Sequence, residues 1–147
     1  MSTRPNREQV VTIARHWIGT PYRHQASLCG IGCDCLGLVR GVWRQLYGTE
    51  PEAPPPYSPD WAEAGRGEVL ADAMHRHFQP LGGGPASLGD VLLFRWRTHL
   101  PAAHLAIATT EVSMVHAHAG ASAAEVAIGA WWRRHHVASF SFPEILD

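Results

Sequence analysis

The hydrophobic period of this chain changes once, and that change limits its fold more than any other feature of the sequence. Up to Gly48 the apolar residues recur at helical spacing, whereas beyond the Gly82-Gly83-Gly84-Pro85 break they fall into short strand-length runs. Asn6, with Gln9 three residues on, is a helix start, and Val10, Ile13, Ala14, Trp17 and Ile18 share the face that follows. Gly19 ends this helix, Thr20-Pro21 forces an extended turn, and Tyr22 to Gly32 reads as an irregular loop. A second helix begins near Asp34, with Cys35, Leu38, Val39, Val42, Trp43 and Leu46 on one face and Gly48 at its end. A Pro-rich loop runs from Glu50 to Pro59, and Trp61 to Phe78 has room for one or two helical turns interrupted by Gly65 and Gly67. Strands are predicted at Val91–Trp96, Ala102–Thr109, Glu111–His118, Glu125–Ile128 and Val137–Phe142. Helices followed by consecutive short strands describe an α+β fold, with N-terminal helices packed on an antiparallel sheet of about five strands. At 147 residues and 46% hydrophobic the chain suits a single domain spanning 1–147, and no internal repeat divides it.

A formal net charge of -1 argues against a generic basic nucleic-acid binder. No apolar run is long enough for a membrane span, and Met1 to Gln9 is polar, unlike a secretory signal. Synthesis in the bacterial cytoplasm without a cleaved signal is the expectation. The three cysteines, Cys29, Cys33 and Cys35, crowd into one short stretch, which is a poor disulfide framework and a better local chemical site.

Cys35 falls in the first turn of the second helix. Unpaired N–H groups and the positive end of the helix dipole favour a thiolate there, and Asp34 is placed to cap the helix. Gly37, in the same turn, allows another backbone or a substrate to approach closely. The plain alternative is that Cys35 is a small core residue. A cysteine nucleophile needs a base, and the base needs an orienting group. His104 opens the apolar run Ala103-His104-Leu105-Ala106-Ile107, and His116 lies in Met114-Val115-His116-Ala117-His118. A hairpin centred on Thr110 would set His104 opposite His116, and a slip of two would bring in His118 instead. Alone, each histidine reads equally as a core or surface residue; the combination with the helix-start cysteine is what points to catalysis.

Weaker signals carry less. Cys29, Cys33, Cys35 and His24 do not match a common zinc spacing, and a metal would consume the nucleophile, so neither metal nor cofactor is expected. Arg133-Arg134-His135-His136 reads as a solvated turn, His75 and His77 as a polar helix end, and Trp96, Trp131 and Trp132 as core or rim.

Five stretches together resemble the NlpC family of papain-like cysteine peptidases, which cut bacterial cell-wall peptides. They are Trp17-Ile18-Gly19-Thr20-Pro21-Tyr22, Asp34-Cys35-Leu36-Gly37-Leu38-Val39, Leu88-Gly89-Asp90-Val91-Leu92-Leu93-Phe94, His104-Leu105-Ala106-Ile107 and Met114-Val115-His116-Ala117. The resemblance implies a papain-like α+β core, Cys35 as nucleophile, His104 as general base and His116 as the third residue of the triad. It puts Tyr22, Asp34 and the Cys35 backbone on the substrate and oxyanion side, and a thiolate–imidazolium pair at rest. The implied substrate is the peptidoglycan stem peptide, cut between D-glutamate and the diamino acid. Small size and the Cys-Asp-Cys-Leu-Gly variant look most like the branch carried in the tails of phages and gene-transfer-agent particles. Tail hub or baseplate proteins are then the implied partners, and the periplasm and cell wall the implied site of action. The sequence departs from the family at Arg23-His24-Gln25-Ala26-Ser27, where a Gly-Gly pair is frequent, and at Leu36, where Ser is common. A structural tail protein with dispensable activity, or an acyl or amide transferase on the same cysteine, are the competing readings.

Overall fold

A computed structural model describes residues 4–52, 54, 57 and 67–146. The part of the Pro-rich loop and of the Trp61–Phe78 stretch that falls on the other positions lies outside the described residues.

The N-terminal helix α1 (Arg7–His16) starts on the expected capping box: Asn6 accepts from the Gln9 N–H while the Gln9 side chain accepts from the Asn6 N–H. Two short strands, β1 (Ser27–Leu28) and β2 (Gly32–Cys33), pair antiparallel inside the stretch expected to be irregular. Helix α2 (Cys35–Tyr47) follows, capped by Asp34 at its start and closed by Gly48 at φ 91°. Two glycines let α2 sit as deep as it does. A Cβ at Gly41 would lie 2.0 Å from the Trp17 ring, and one at Gly37 would lie 1.8 Å from the Ala26 carbonyl oxygen. The close approach that Gly37 permits is therefore to backbone.

Helix α3 (Val69–His77) leads into β3 (Gln79–Pro80). The remaining elements are β4 (Val91–Arg95), β5 (Ala102–Ala108), β6 (Ser113–His116), β7 (Ala124–Ala127), α4 (Ala130–His135) and β8 (His136–Ser141). The main sheet has six strands in the order β3-β8-β4-β5-β6-β7, all antiparallel. The sixth, two-residue strand β3 was not foreseen, because Gln79 and Pro80 carry no alternation to read. The expected solvated turn at residues 133–136 is instead the end of α4 and the start of β8.

The sheet is buried on both faces, which explains why β4 and β5 read as nearly continuous apolar runs. Val91, Leu93, Leu105, Ile107, Val115, Phe140 and Phe142 join Val10, Trp17, Cys35, Leu38, Val42 and Met74 in the core under the helices. Leu92, Phe94, Ala106, Ala108, Met114 and Ile128 form a second core on the other face, covered in part by Trp132 of α4. No helix among the described residues is long and apolar enough to cross a membrane.

Candidate active site

The register of β5 against β6 differs from the sequence expectation. Ile107 pairs with Val115 and Ala108 with Met114, so the hairpin is centred one residue later than Thr110; this is the slip of two, whose register continued along the strands would set His118, not His116, opposite His104. The two imidazoles meet all the same, across a diagonal: His104 Nε2 and His116 Nδ1 are 2.9 Å apart, with the rings edge to face. His118 lies further out, its ring centroid 5.8 Å from that of His104.

Strand direction explains how a helix-borne sulfur reaches this pair. Ala108 exchanges hydrogen bonds on its β4 side, donating to the Asp90 carbonyl and accepting from the Gly89 N–H. By alternation, the amides of residues 103 and 105 face the β6 side. The β5–β6 ladder stops at Ile107, so these amides meet no strand. Cys35 enters that gap. Its Sγ is 3.9 Å from the Ala103 carbonyl oxygen and receives a hydrogen bond from the Leu105 N–H. The sulfur thus touches the backbone on both sides of His104, while the His104 ring, opposite Phe94, projects into the second core and stacks on Trp132 at 5.5 Å. No hydrogen bond joins the Cys35 thiol to either imidazole.

The electrostatics of the thiol and the two imidazoles have one dominant cause, burial. Burial first, and the Asp34 charge second, push the Cys35 thiol up to about 12, against smaller lowering by backbone N–H groups. Burial also holds His104 well below its ordinary value, with His116 and His118 adding repulsion, and brings His116 down to about 4. Both shifts favour the neutral form of each group, because a helix N-terminus in a dry core does little to offset the loss of water from an ion.

Asp34 is occupied by protein donors. Oδ1 accepts from the Gly37 N–H at 2.7 Å, and Oδ2 accepts from the Gln25 N–H at 2.7 Å and from the Tyr57 hydroxyl. It caps α2 and ties two loops to it; the carboxylate is not an oxyanion donor. Tyr22 bridges to Cys33 beside the site, and burial, then Asp34, Cys35 and Cys33, raise its phenol. Cys33 is buried, Cys29 exposed, and no disulfide links them. Among the described residues, no three His, Cys, Asp or Glu side chains are grouped as a metal would need.

Sequence reasoning missed the wall around His104, made by Phe94, Trp96 and Trp132, and missed His24, Gln25 and Tyr57 around Asp34. The aromatic runs were visible but not their meeting point. For Tyr57, in a loop without period, no signal was available.

Solved structures similar to this chain decide what the arrangement resembles. The NlpC/p60 domain of the peptidoglycan hydrolase SagA superposes with a TM-score of 0.66 at 22% identity, over 93% of this chain and 99% of that one. The chain has the fold of an NlpC/p60 domain. An NlpC/p60 family protein from Bacillus cereus matches with a TM-score of 0.69 at 15% identity over 95% of this chain, and a Staphylococcus aureus protein of the NLP/P60 family with 0.64 at 18% identity over 100% of this chain. This chain spans only 41% and 46% of those two, so the NlpC/p60 unit is one part of longer proteins there. No family model matches the sequence, and no curated protein matches it.

Proposed function

We propose that this chain is a cysteine peptidase that hydrolyses stem peptides of bacterial peptidoglycan, with Cys35 as nucleophile, His104 as general base and His116 as the residue that orients it. The observation that carries the reading is the sulfur of Cys35 seated against the backbone on either side of His104, whose Nε2 is already engaged by His116. With Nε2–H donating to a neutral His116, Nδ1 is the nitrogen left to take the thiol proton. The thiol leaves the Ala103 carbonyl and turns to the imidazole, and its proton passes to His104 Nδ1 as sulfur bonds to the scissile carbonyl carbon. Backbone N–H groups at the start of α2, with the Tyr22 hydroxyl, serve the oxyanion; loss of one such donor costs ~10²–10³ in rate. The proton then goes from His104 to the leaving amine, and water, deprotonated by the same ring, clears the thioester.

The bond between D-glutamate and the diamino acid is the one we propose is cut. We place the enzyme in the tail of a phage-like or gene-transfer-agent particle, assembled on hub or baseplate proteins and acting at the wall. The Cys-Asp-Cys-Leu-Gly sequence supports that placement. Burial of the Cys35 and His104 side chains is the observation on the side of a structural tail protein with dispensable chemistry.

Digestion of purified peptidoglycan, with products read by mass, tests the proposal. Wild type is expected to release stem-peptide fragments with water added at the cut bond, and folded Cys35→Ala none. Turnover by Cys35→Ala would remove the nucleophile assignment. An acceptor amine in place of water in the products would convert the reading to a transferase.

A further inference from the structure

Once His104 takes the thiol proton, its ring is a cation in a buried place, and a buried ion is stable only beside something that answers its charge. Among the described residues no Asp or Glu hydrogen-bonds to either imidazole: His104 Nε2 is engaged by His116 Nδ1, and the charges of His116 and His118 bear on His104 by repulsion. A neutral imidazole fixes the tautomer of its neighbour but supplies no negative charge.

What the His104 ring does meet is indole. Trp132 of α4 lies near-parallel to it, at 26° and 5.5 Å between centroids, and Trp96, just beyond β4, lies at 33° and 5.1 Å. The two indoles are 6.0 Å apart, so they take adjacent places around the imidazole and do not sandwich it. Trp132 also stands almost perpendicular to His116, at 84° and 5.2 Å, and is braced by Phe94 at 4.9 Å and by Trp131 at 4.8 Å. One indole therefore touches both imidazoles of the proposed triad and is itself held in place.

The face of an indole is the negative region of its quadrupole, and a cation within about 6 Å of the ring centroid is drawn to it, more strongly where water is excluded. Both indoles lie inside that distance from His104. A neutral imidazole gains only ordinary stacking energy there. The contact strengthens as the proton arrives, and an interaction that grows along the reaction lowers a barrier where mere packing does not.

We infer that Trp132, seconded by Trp96, is a positioning residue for His104: its π face steadies the imidazolium formed during attack, the part that a carboxylate third member would otherwise play. The inference rests on His104 being the base that takes the Cys35 proton.

The test changes the π density of residue 132 and nearly preserves its shape. Tryptophan bearing one, two or four ring fluorines is introduced at position 132 of the full chain by nonsense suppression, and cleavage of a purified muropeptide is followed under single turnover. The cleavage rate is expected to fall stepwise with fluorine number, roughly 2- to 30-fold across the series, with the enzyme concentration at half-saturation unchanged. Trp132→Leu, which keeps apolar bulk without a π face, should lose at least as much, and Trp132→Phe should recover part of the loss. A rate indifferent to the fluorines, or an equal loss in Trp132→Leu and Trp132→Phe, overturns the inference and leaves Trp132 as cover for the second core. If circular dichroism shows Trp132→Leu unfolded, the fluorine series alone decides. A wild type that cleaves nothing removes the peptidase reading and this stabilisation with it, whereas a working wild type with a flat fluorine series removes only the stabilisation.

Discussion

The helix-start cysteine suggests a fast-reacting thiolate, whereas the folded site predicts a slow thiol, and alkylation order in the wild-type protein separates the two. Cys35 is moved from the ordinary 9.0 to about 12. At pH 7 that shift cuts the thiolate fraction about a thousand-fold relative to an ordinary thiol. A more basic thiolate is also the better nucleophile, and an exponent of ~0.4–0.5 on the shift returns roughly 16–30-fold of the loss. Cys35 should therefore react roughly 30–60-fold more slowly than an ordinary exposed thiol before any steric cover is counted. Cys29, which is exposed, supplies the internal reference. The assay is a time course with iodoacetamide at pH 7, digestion, and quantitation of each cysteine by fragment mass. Cys29 should be modified well ahead of Cys35, and the Cys35 rate should rise about ten-fold per pH unit throughout the range below its raised value. Modification of Cys35 ahead of Cys29 at pH 7 would refute the reasoning. It would mean that His104 holds the thiolate as an ion pair and that desolvation is not the dominant influence on this site.

Replacing His104 by Ala should lower kcat on peptidoglycan fragments by ~10²–10⁴-fold, whereas His116→Ala, which removes only the orienting bond, should lower it less with KM little changed; steady-state kinetics on a purified muropeptide check both. Both histidines are depressed in the folded state, His116 to about 4, so between the ordinary 6.5 and that value the unfolded chain binds more protons. Stability is then full above pH 6.5 and falls with acid through this window; thermal unfolding from pH 7 to pH 4 should show the loss, with a shallower slope in folded His116→Gln. Gly37→Ala gains helix propensity worth ~1 kcal/mol but sets a Cβ 1.8 Å from the Ala26 carbonyl oxygen, a backbone atom that itself accepts from the Asp34 N–H. The clash outweighs the gain, and urea unfolding should show a net loss of ~1–3 kcal/mol; a stabilised Gly37→Ala would show that the loop carrying Ala26 yields freely.

Much of this fold was legible because the relevant signals are local. The Asn6–Gln9 box, the Asp34 cap, the apolar face of α2 and the five longer strands of the main sheet all follow from spacing along the chain. The two histidines were legible too, as polar residues in runs otherwise apolar. Register was not, because the turn between Ala108 and Ser113 carries no Asn-Gly or similar pair to fix its centre. Charge state was not legible either. A helix N-terminus lowers a thiol in water, but Cys35 is buried against the backbone of Ala103 and Leu105, about seventy residues away in sequence. Trp132 lay hidden for the same reason: a tryptophan pair says that something is covered, and only the return of β8 to β4 through α4 shows that it is His104.

The two cores also account for why chemistry collects where it does. A sheet packed on both faces has its amide groups paired along its length, and it can lend a free N–H and C=O to a reacting group only where a ladder ends. Here β5 outruns β6 by several residues, and the open amides of 103 and 105 are taken by a sulfur from the helical layer while His104 hangs from the opposite face. At the ladder's end a side chain from α2 and a side chain from the second core approach the same stretch of backbone. Lengthening the β5–β6 pairing would close that gap and displace Cys35, however sound each element remained. The separation of Cys35 and His104 across a strand edge is then a property of where pairing stops, and the fold sets it before any catalytic residue is chosen.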